Sequence, residues 1–159
     1  GGLQPSGLRL FGSCLFVLCL FGMTANETFG QQDSEEPRFR IVVHQSNPST
    51  SVPGDDIARI FMKKRSSWDG WDLAPLPIDR SSDSEVRKAF SQTIHGKSIN
   101  ALNNYWQRMI FSGRGVPPDT LRDDTEVFNA ILANPGAVSY VTTDAKLPDG
   151  VKELKITDE

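Results

Sequence analysis

The sequence predicts an α/β fold, an open sheet flanked by helices, and three observations predict it. The run FRIVVH at 39–44 suits a buried strand, and AVSYV at 137–141 and VKELKI at 151–156 close the chain in the same manner. Between them, stretches with apolar residues at helical spacing alternate with extended ones, the pattern of a sheet with helices packed against it. Residues 77–90, PIDRSSDSEVRKAF, read as a strand end, a polar turn and the opening of an amphipathic helix. A strand feeding a helix N-terminus is where α/β proteins hold anions, because the free N–H groups of the first turn and the helix dipole both favour negative charge.

Length and composition fit one globular domain: 159 residues, 38% hydrophobic and 23% charged. With 17 basic against 20 acidic residues and a formal charge of -3, the chain has no broad cationic field. Nucleic-acid binding is excluded on that ground.

The N-terminal part has a different character. Residues 10–23, LFGSCLFVLCLFGM, form an uncharged apolar run preceded by Arg9. It is shorter than the ~20 residues a spanning helix needs, so it reads as a cleaved secretory signal, with residues 1–25 removed near Ala25 or Gly30. Met23 as an internal start and a lipoprotein signal are the alternatives, though neither cysteine follows a Leu-small-small tripeptide. A periplasmic or secreted location follows, with membrane contact only through an uncleaved signal. Residues 26–37 are polar and turn-rich and read as a disordered leader, so the domain is expected over 38–159. Cys14 and Cys19 both lie in the apolar run, which leaves the domain without a disulfide, a cysteine metal site or a thiol nucleophile.

After the first strand, QSNPSTSVPG reads as a loop. A helix follows, with Asp55 and Asp56 in its first turn, Ile57, Ile60 and Phe61 on one face, and Lys63, Lys64 and Arg65 at its solvated end; this charge order complements the helix dipole. SSWDGWD is a turn whose Trp68 and Trp71 cover the core edge. The prolines of LAPLPI (73–78) predict an irregular or edge strand rather than a central one. Ser82 and Glu85 have capping-box spacing, so the next helix is expected to start just after Ser81 and to bury Val86, Ala89, Phe90 and Ile94. A further helix over about 98–111 carries Ile99, Leu102, Trp106, Met109 and Ile110 on one stripe, expected as core. SGRGVPP is a glycine-bounded turn presenting Arg114. Asp123 and Glu126 repeat the capping spacing before Val127, Ala130 and Ile131, and that helix ends at Asn134, Pro135 and Gly136.

Taken in order, IVVHQSNPSTS, IARIFMKKRSSWDG, PIDRSSDSEVRKAF, YWQRMIFSGRGVPP and NPGAVSYV resemble the phosphate-binding-protein-like family, the substrate-binding proteins of phosphate ABC transporters and their short relatives. The resemblance covers about residues 40–156. It implies a single lobe of the type II periplasmic-binding-protein fold, a small anion such as phosphate as ligand, and a transporter or other envelope protein as partner. Arg80 and Ser81 match the family's Arg-Ser, and Ser84 matches its anion-facing serine. Arg114 is a further ligand-binding candidate.

Asp83, Glu85 and Val86 stand where the family has glycine, glycine and threonine, and Asp79, Asp83 and Glu85 would surround the helix end with carboxylates. Two roles follow from this pattern: weak binding of a small anion as a transport accessory, or a protein-interaction module on the same scaffold with the anion site lost.

Catalytic and metal constellations are absent from the sequence. His44 and His95 are the two histidines, without ligand partners at helical spacing, and no Gly-x-Ser-x-Gly elbow occurs. The acids sit at helix starts. A non-enzymatic protein without cofactor is expected.

Overall fold

The computed structural model describes residues 38–158; the signal expected over 1–25 and the leader over 26–37 lie outside them. Six strands form one mixed sheet in the order β2-β6-β1-β5-β3-β4. The central strand β1 (Arg40–His44) runs antiparallel to both β5 (Ala137–Val141) and β6 (Val151–Thr157). β2 (Ser51–Pro53) pairs parallel to β6, while β3 (Leu76–Arg80) pairs parallel to β5 on one side and to β4 (Asp119–Leu121) on the other.

Alternation along the strands builds two cores, one on each face of the sheet. Ile41 and Val43 of β1 and Val138 and Tyr140 of β5 face α1 (Gly54–Phe61) and α2 (Glu85–His95), where they bury Ile57, Ile60, Phe61 and Phe90. Val42, Ala137 and Val141 point the other way and pack on Val127 and Ile131 of α4 (Asp124–Ala133). The helical face expected of α1 is therefore its buried face. At its end Lys63 and Lys64 are exposed, and Arg65 turns back to pair with Asp56 at 2.5 Å and Asp69 at 2.6 Å. Trp68 is buried at the core edge, with Trp71 packed against it. Asp123 caps α4 by accepting from the Glu126 N–H at 2.9 Å, and the carboxylate of Glu126 accepts from the Arg122 N–H at 2.8 Å. That second bond is the first cause holding the Glu126 carboxyl below its ordinary range.

Four expectations are corrected. β3 is not an edge strand: it has neighbours on both sides, although its register with β5 lasts only from Leu76 to Pro77, where Pro77 has no N–H to donate. α2 begins at Glu85, and its cap is Ser84 rather than Ser82, with the Ser84 hydroxyl accepting from the Arg87 N–H at 3.2 Å. Glu85 reaches outward to Lys88 at 2.6 Å instead of closing a capping box. α3 (Ile99–Phe111) buries only Leu102 and Trp106 of its apolar stripe, while Ile110 is 50% and its neighbour Phe111 89% exposed. The loops after β1 and before α4 contain the three-residue strands β2 and β4, too short for alternation to reveal.

At the end of α2, His95 packs edge-on against Phe90, ring centroids 5.5 Å apart. Burial, and then the charges of Arg87 and Lys97, push its imidazole down from 6.5 to about 4. Between those two values the unfolded chain binds a proton that the folded one refuses, so stability rises with pH through this window and is fully present above about 6.5. Urea midpoints at pH 7.5 and 5.0 are expected to show a loss on the order of 1–2 kcal/mol on acidification, reduced for partial exposure. In His95→Gln that part of the loss should vanish; an equal drop in both proteins would refute the assignment.

Gly136, where α4 hands over to β5, offers a second test. A Cβ there would lie 2.6 Å from the Ala74 carbonyl oxygen and 3.4 Å from Asn134 Oδ1, and the Gly136 carbonyl accepts from the Leu76 N–H at 2.8 Å. Gly136→Ala should cost about 1–3 kcal/mol through backbone displacement, read as a lower urea midpoint at unchanged slope.

Candidate functional site

β3 delivers two charged residues, Asp79 and Arg80, to the sheet's interior, each only 5% exposed. Isolated buried charges are costly, so each must find partners. Asp79 Oδ1 accepts from the Arg80 N–H at 2.8 Å and from the Tyr140 hydroxyl, and Oδ2 is ion-paired with Arg87 Nη1 in the first turn of α2. Tyr140 lies flat against Phe90, centroids 3.9 Å apart and planes 3° from parallel. Its burial raises the phenol's pKa, outweighing the opposing effects of Arg87 and Arg80, and the hydroxyl stays a donor.

Arg80 turns the opposite way. Nη1 donates to Asp124 Oδ1 at 2.6 Å and to the Tyr140 carbonyl at 3.2 Å, and Nη2 donates to the Arg122 carbonyl at 3.2 Å. Asp124 Oδ2 in turn accepts from Thr142 Oγ1 at 2.8 Å. Two arginines and two aspartates thus balance in charge. The hydrogen-bond account does not close, however, because Nε of Arg80 and Nε of Arg87 are buried without a partner among the described residues. Burial lowers the pKa of the Arg87 guanidinium, the sign of a cation held out of water.

Both arginines line a cavity of about 740 Å³. One side is the end of β3 and the turn after it, Asp79 to Asp83, together with Arg87. The facing side is α3, with Asn103, Trp106, Gln107 and Ile110, and Pro117, Pro118 and Thr120 complete the lining.

Of the four residues singled out from the sequence, the structure brings Arg80 and Ser81 to this cavity. The Ser81 hydroxyl donates to the Leu121 carbonyl at 3.4 Å. Ser84 is the α2 cap and is outside the lining, and Arg114 is exposed in the turn after α3, also outside it. The three acids expected to crowd the helix end are separated. Asp79 is satisfied by internal donors and Glu85 points away to Lys88, which leaves Asp83, exposed and without a partner among the described residues, as the one unpaired carboxylate in the lining.

Sequence reasoning missed Arg87, whose position three residues after Ser84 places it in the first helical turn, and the pair Asn103 and Gln107, one helical turn apart beside Trp106. No group of three or more His, Cys, Asp or Glu able to hold a metal occurs among the described residues, and no described helix is long and apolar enough to cross a membrane.

No family model matches the chain, and no curated protein does. Solved structures do. A substrate-binding protein assigned to a phosphate ABC transporter of Clostridium perfringens, with phosphate bound, matches at a TM-score of 0.59 and 19% identity, over 74% of this chain and 44% of that one. An ABC-type phosphate transport receptor from Vibrio cholerae matches at 0.58 and 18%, over 73% and 44%. PstS from Borrelia burgdorferi matches at 0.59 and 13%, over 76% and 47%. These likenesses establish the fold, an α/β lobe of the periplasmic-binding-protein type, in agreement with the resemblance read from the sequence. The chain spans under half the length of these structures.

The Arg80–Asp124 pair is the firmest contact of the site with α4. Arg80→Met would leave Asp124 half-buried without its cation, and a loss of about 3–5 kcal/mol is expected in urea unfolding. A change below about 1 kcal/mol would show that the pair carries no structural weight.

Proposed function

We propose that the protein is an exported solute-binding domain that holds a small oxyanion such as phosphate, with modest affinity, in the cavity between the end of β3 and α3. The observation that carries this reading is the pair of largely buried arginines, Arg80 and Arg87, that line one side of the cavity. An oxyanion in the cavity would meet the edges of these guanidinium groups that reach the lining, not their Nε–H groups, which are fully buried. Arg80 and Arg87 supply the charge and Ser81 a hydroxyl. The N-terminal end of α2, whose first-turn Arg87 lines the cavity, adds its dipole to the positive potential. The fold shared with phosphate-transport receptors supports a solute-binding role, and the phosphate bound in one of those structures supports the oxyanion class.

Affinity is modest because the arginines are already neutralised by Asp79 and Asp124, so an anion adds charge to a balanced cluster. Service to an envelope transporter fits the same reading. The apolar run at 10–23 would act as the export signal, giving a periplasmic or secreted location without a catalytic role.

Titration with phosphate and with sulfate, followed by tryptophan fluorescence and melting temperature, tests the reading. A ligand that binds only the folded state must raise the melting temperature by mass action. Asp83→Asn, which removes the unpaired carboxylate from the lining, should tighten binding about 3- to 10-fold with little change in stability. Absence of any response at millimolar anion, or an affinity unmoved by Asp83→Asn, would overturn the assignment to this cavity.

A further inference from the structure

We infer that the ligand of this cavity is a small organic anion, an oxyanion head joined to an apolar body, and that inorganic phosphate alone leaves most of the site unfilled. The inference rests on the anion reading above and adds the ligand class. The first argument is size. A cavity of about 740 Å³ has room for some two dozen waters at ~30 Å³ each, and it falls in the ~300–1,000 Å³ range of sites for organic ligands. A five-atom oxyanion occupies a small part of it.

The second argument is the division of the lining. The cations are confined to the β3 and α2 side, where Arg80 and Arg87 lie. The facing side carries no charge. It consists of the indole of Trp106, the side chain of Ile110, Pro117 and Pro118, with Asn103 and Gln107 as neutral hydrogen-bonding groups one helical turn apart. Ile110 is 50% exposed, an apolar surface that nothing in the domain covers and that a ligand body would. A few fixed polar groups at one end and an aromatic and aliphatic wall at the other is the composition that orients an organic ligand. The head faces the guanidinium groups and the body lies along α3.

Four probes test this on the full chain by calorimetry: inorganic phosphate, phenyl phosphate, benzoate and phenol. Phenyl phosphate is expected to bind about 10-fold tighter than inorganic phosphate. Ile110→Ser, a half-exposed position where folding should survive, is expected to remove at least a third of that advantage on a logarithmic scale, weakening phenyl phosphate more than phosphate. Benzoate should bind and phenol should bind at least about 10-fold more weakly than phenyl phosphate, since the head is required. If phosphate binds as tightly as phenyl phosphate, or Ile110→Ser weakens both equally, the organic-anion inference is overturned and the anion reading stands. Phenol binding as tightly as phenyl phosphate would overturn the anionic head. No binding by any probe would overturn the anion reading and this inference with it.

Discussion

The carboxylate of Asp79 cannot be left alone where β3 puts it, and much of the domain is arranged to answer that requirement. It draws a donor from its own strand, the Arg80 N–H, one from β5, the Tyr140 hydroxyl, and a cation from α2, Arg87. Breaking any one leaves a buried group unsatisfied, so the network holds the sheet and α2 in one register. Arg80 repeats the arrangement toward the other layer, joining β3 to α4 through Asp124 and to the Tyr140 carbonyl. The polar cluster thus lies between the two apolar cores and ties helices on opposite faces of the sheet to one strand end.

This structural duty constrains the chemistry available to the site. A cation already paired with a buried carboxylate offers an anion only its remaining N–H directions, and an entering oxyanion must share rather than replace the existing partners. The Ser84 hydroxyl accepts from the Arg87 backbone N–H as the cap of α2 and stands outside the cavity lining. The cations that stabilise the fold are therefore the ones that would meet an anionic head, a compromise that favours weak binding.

The sheet and helix order could be read from the sequence because strand alternation and helical spacing report burial directly. FRIVVH, AVSYV and the stripe Ile57, Ile60, Phe61 all occupy the faces their periodicity implies. What could not be read was contact between residues distant in sequence. Nothing in PIDRSSDSEVRKAF shows that Arg80 turns to Asp124, 44 residues on, or that Asp79 meets Tyr140, 61 residues on. The spacing of Ser82 and Glu85 is that of a capping box, yet Ser84 satisfies the first turn while placing Arg87 on Asp79, and the buried ion pair outweighs a surface cap worth ~1 kcal/mol. The α3 stripe misleads for a related reason: helical spacing establishes that apolar residues share a face but not that another element covers all of it, and here cover ends after Trp106.

That incomplete cover gives α3 a particular standing. Within the described residues it forms the wall facing the arginines, yet it buries only Leu102 and Trp106. A helix fixed by two side chains opens at lower free energy than one embedded in a core, as α1 is by Ile57, Ile60 and Phe61. Any ligand that touches both the arginine side and the α3 side would add contacts where the domain has fewest, so occupancy and the docking of α3 must be coupled, each strengthening the other. One half of the cavity is set by the buried charge network, and the other is the helix whose apolar face the fold leaves partly open.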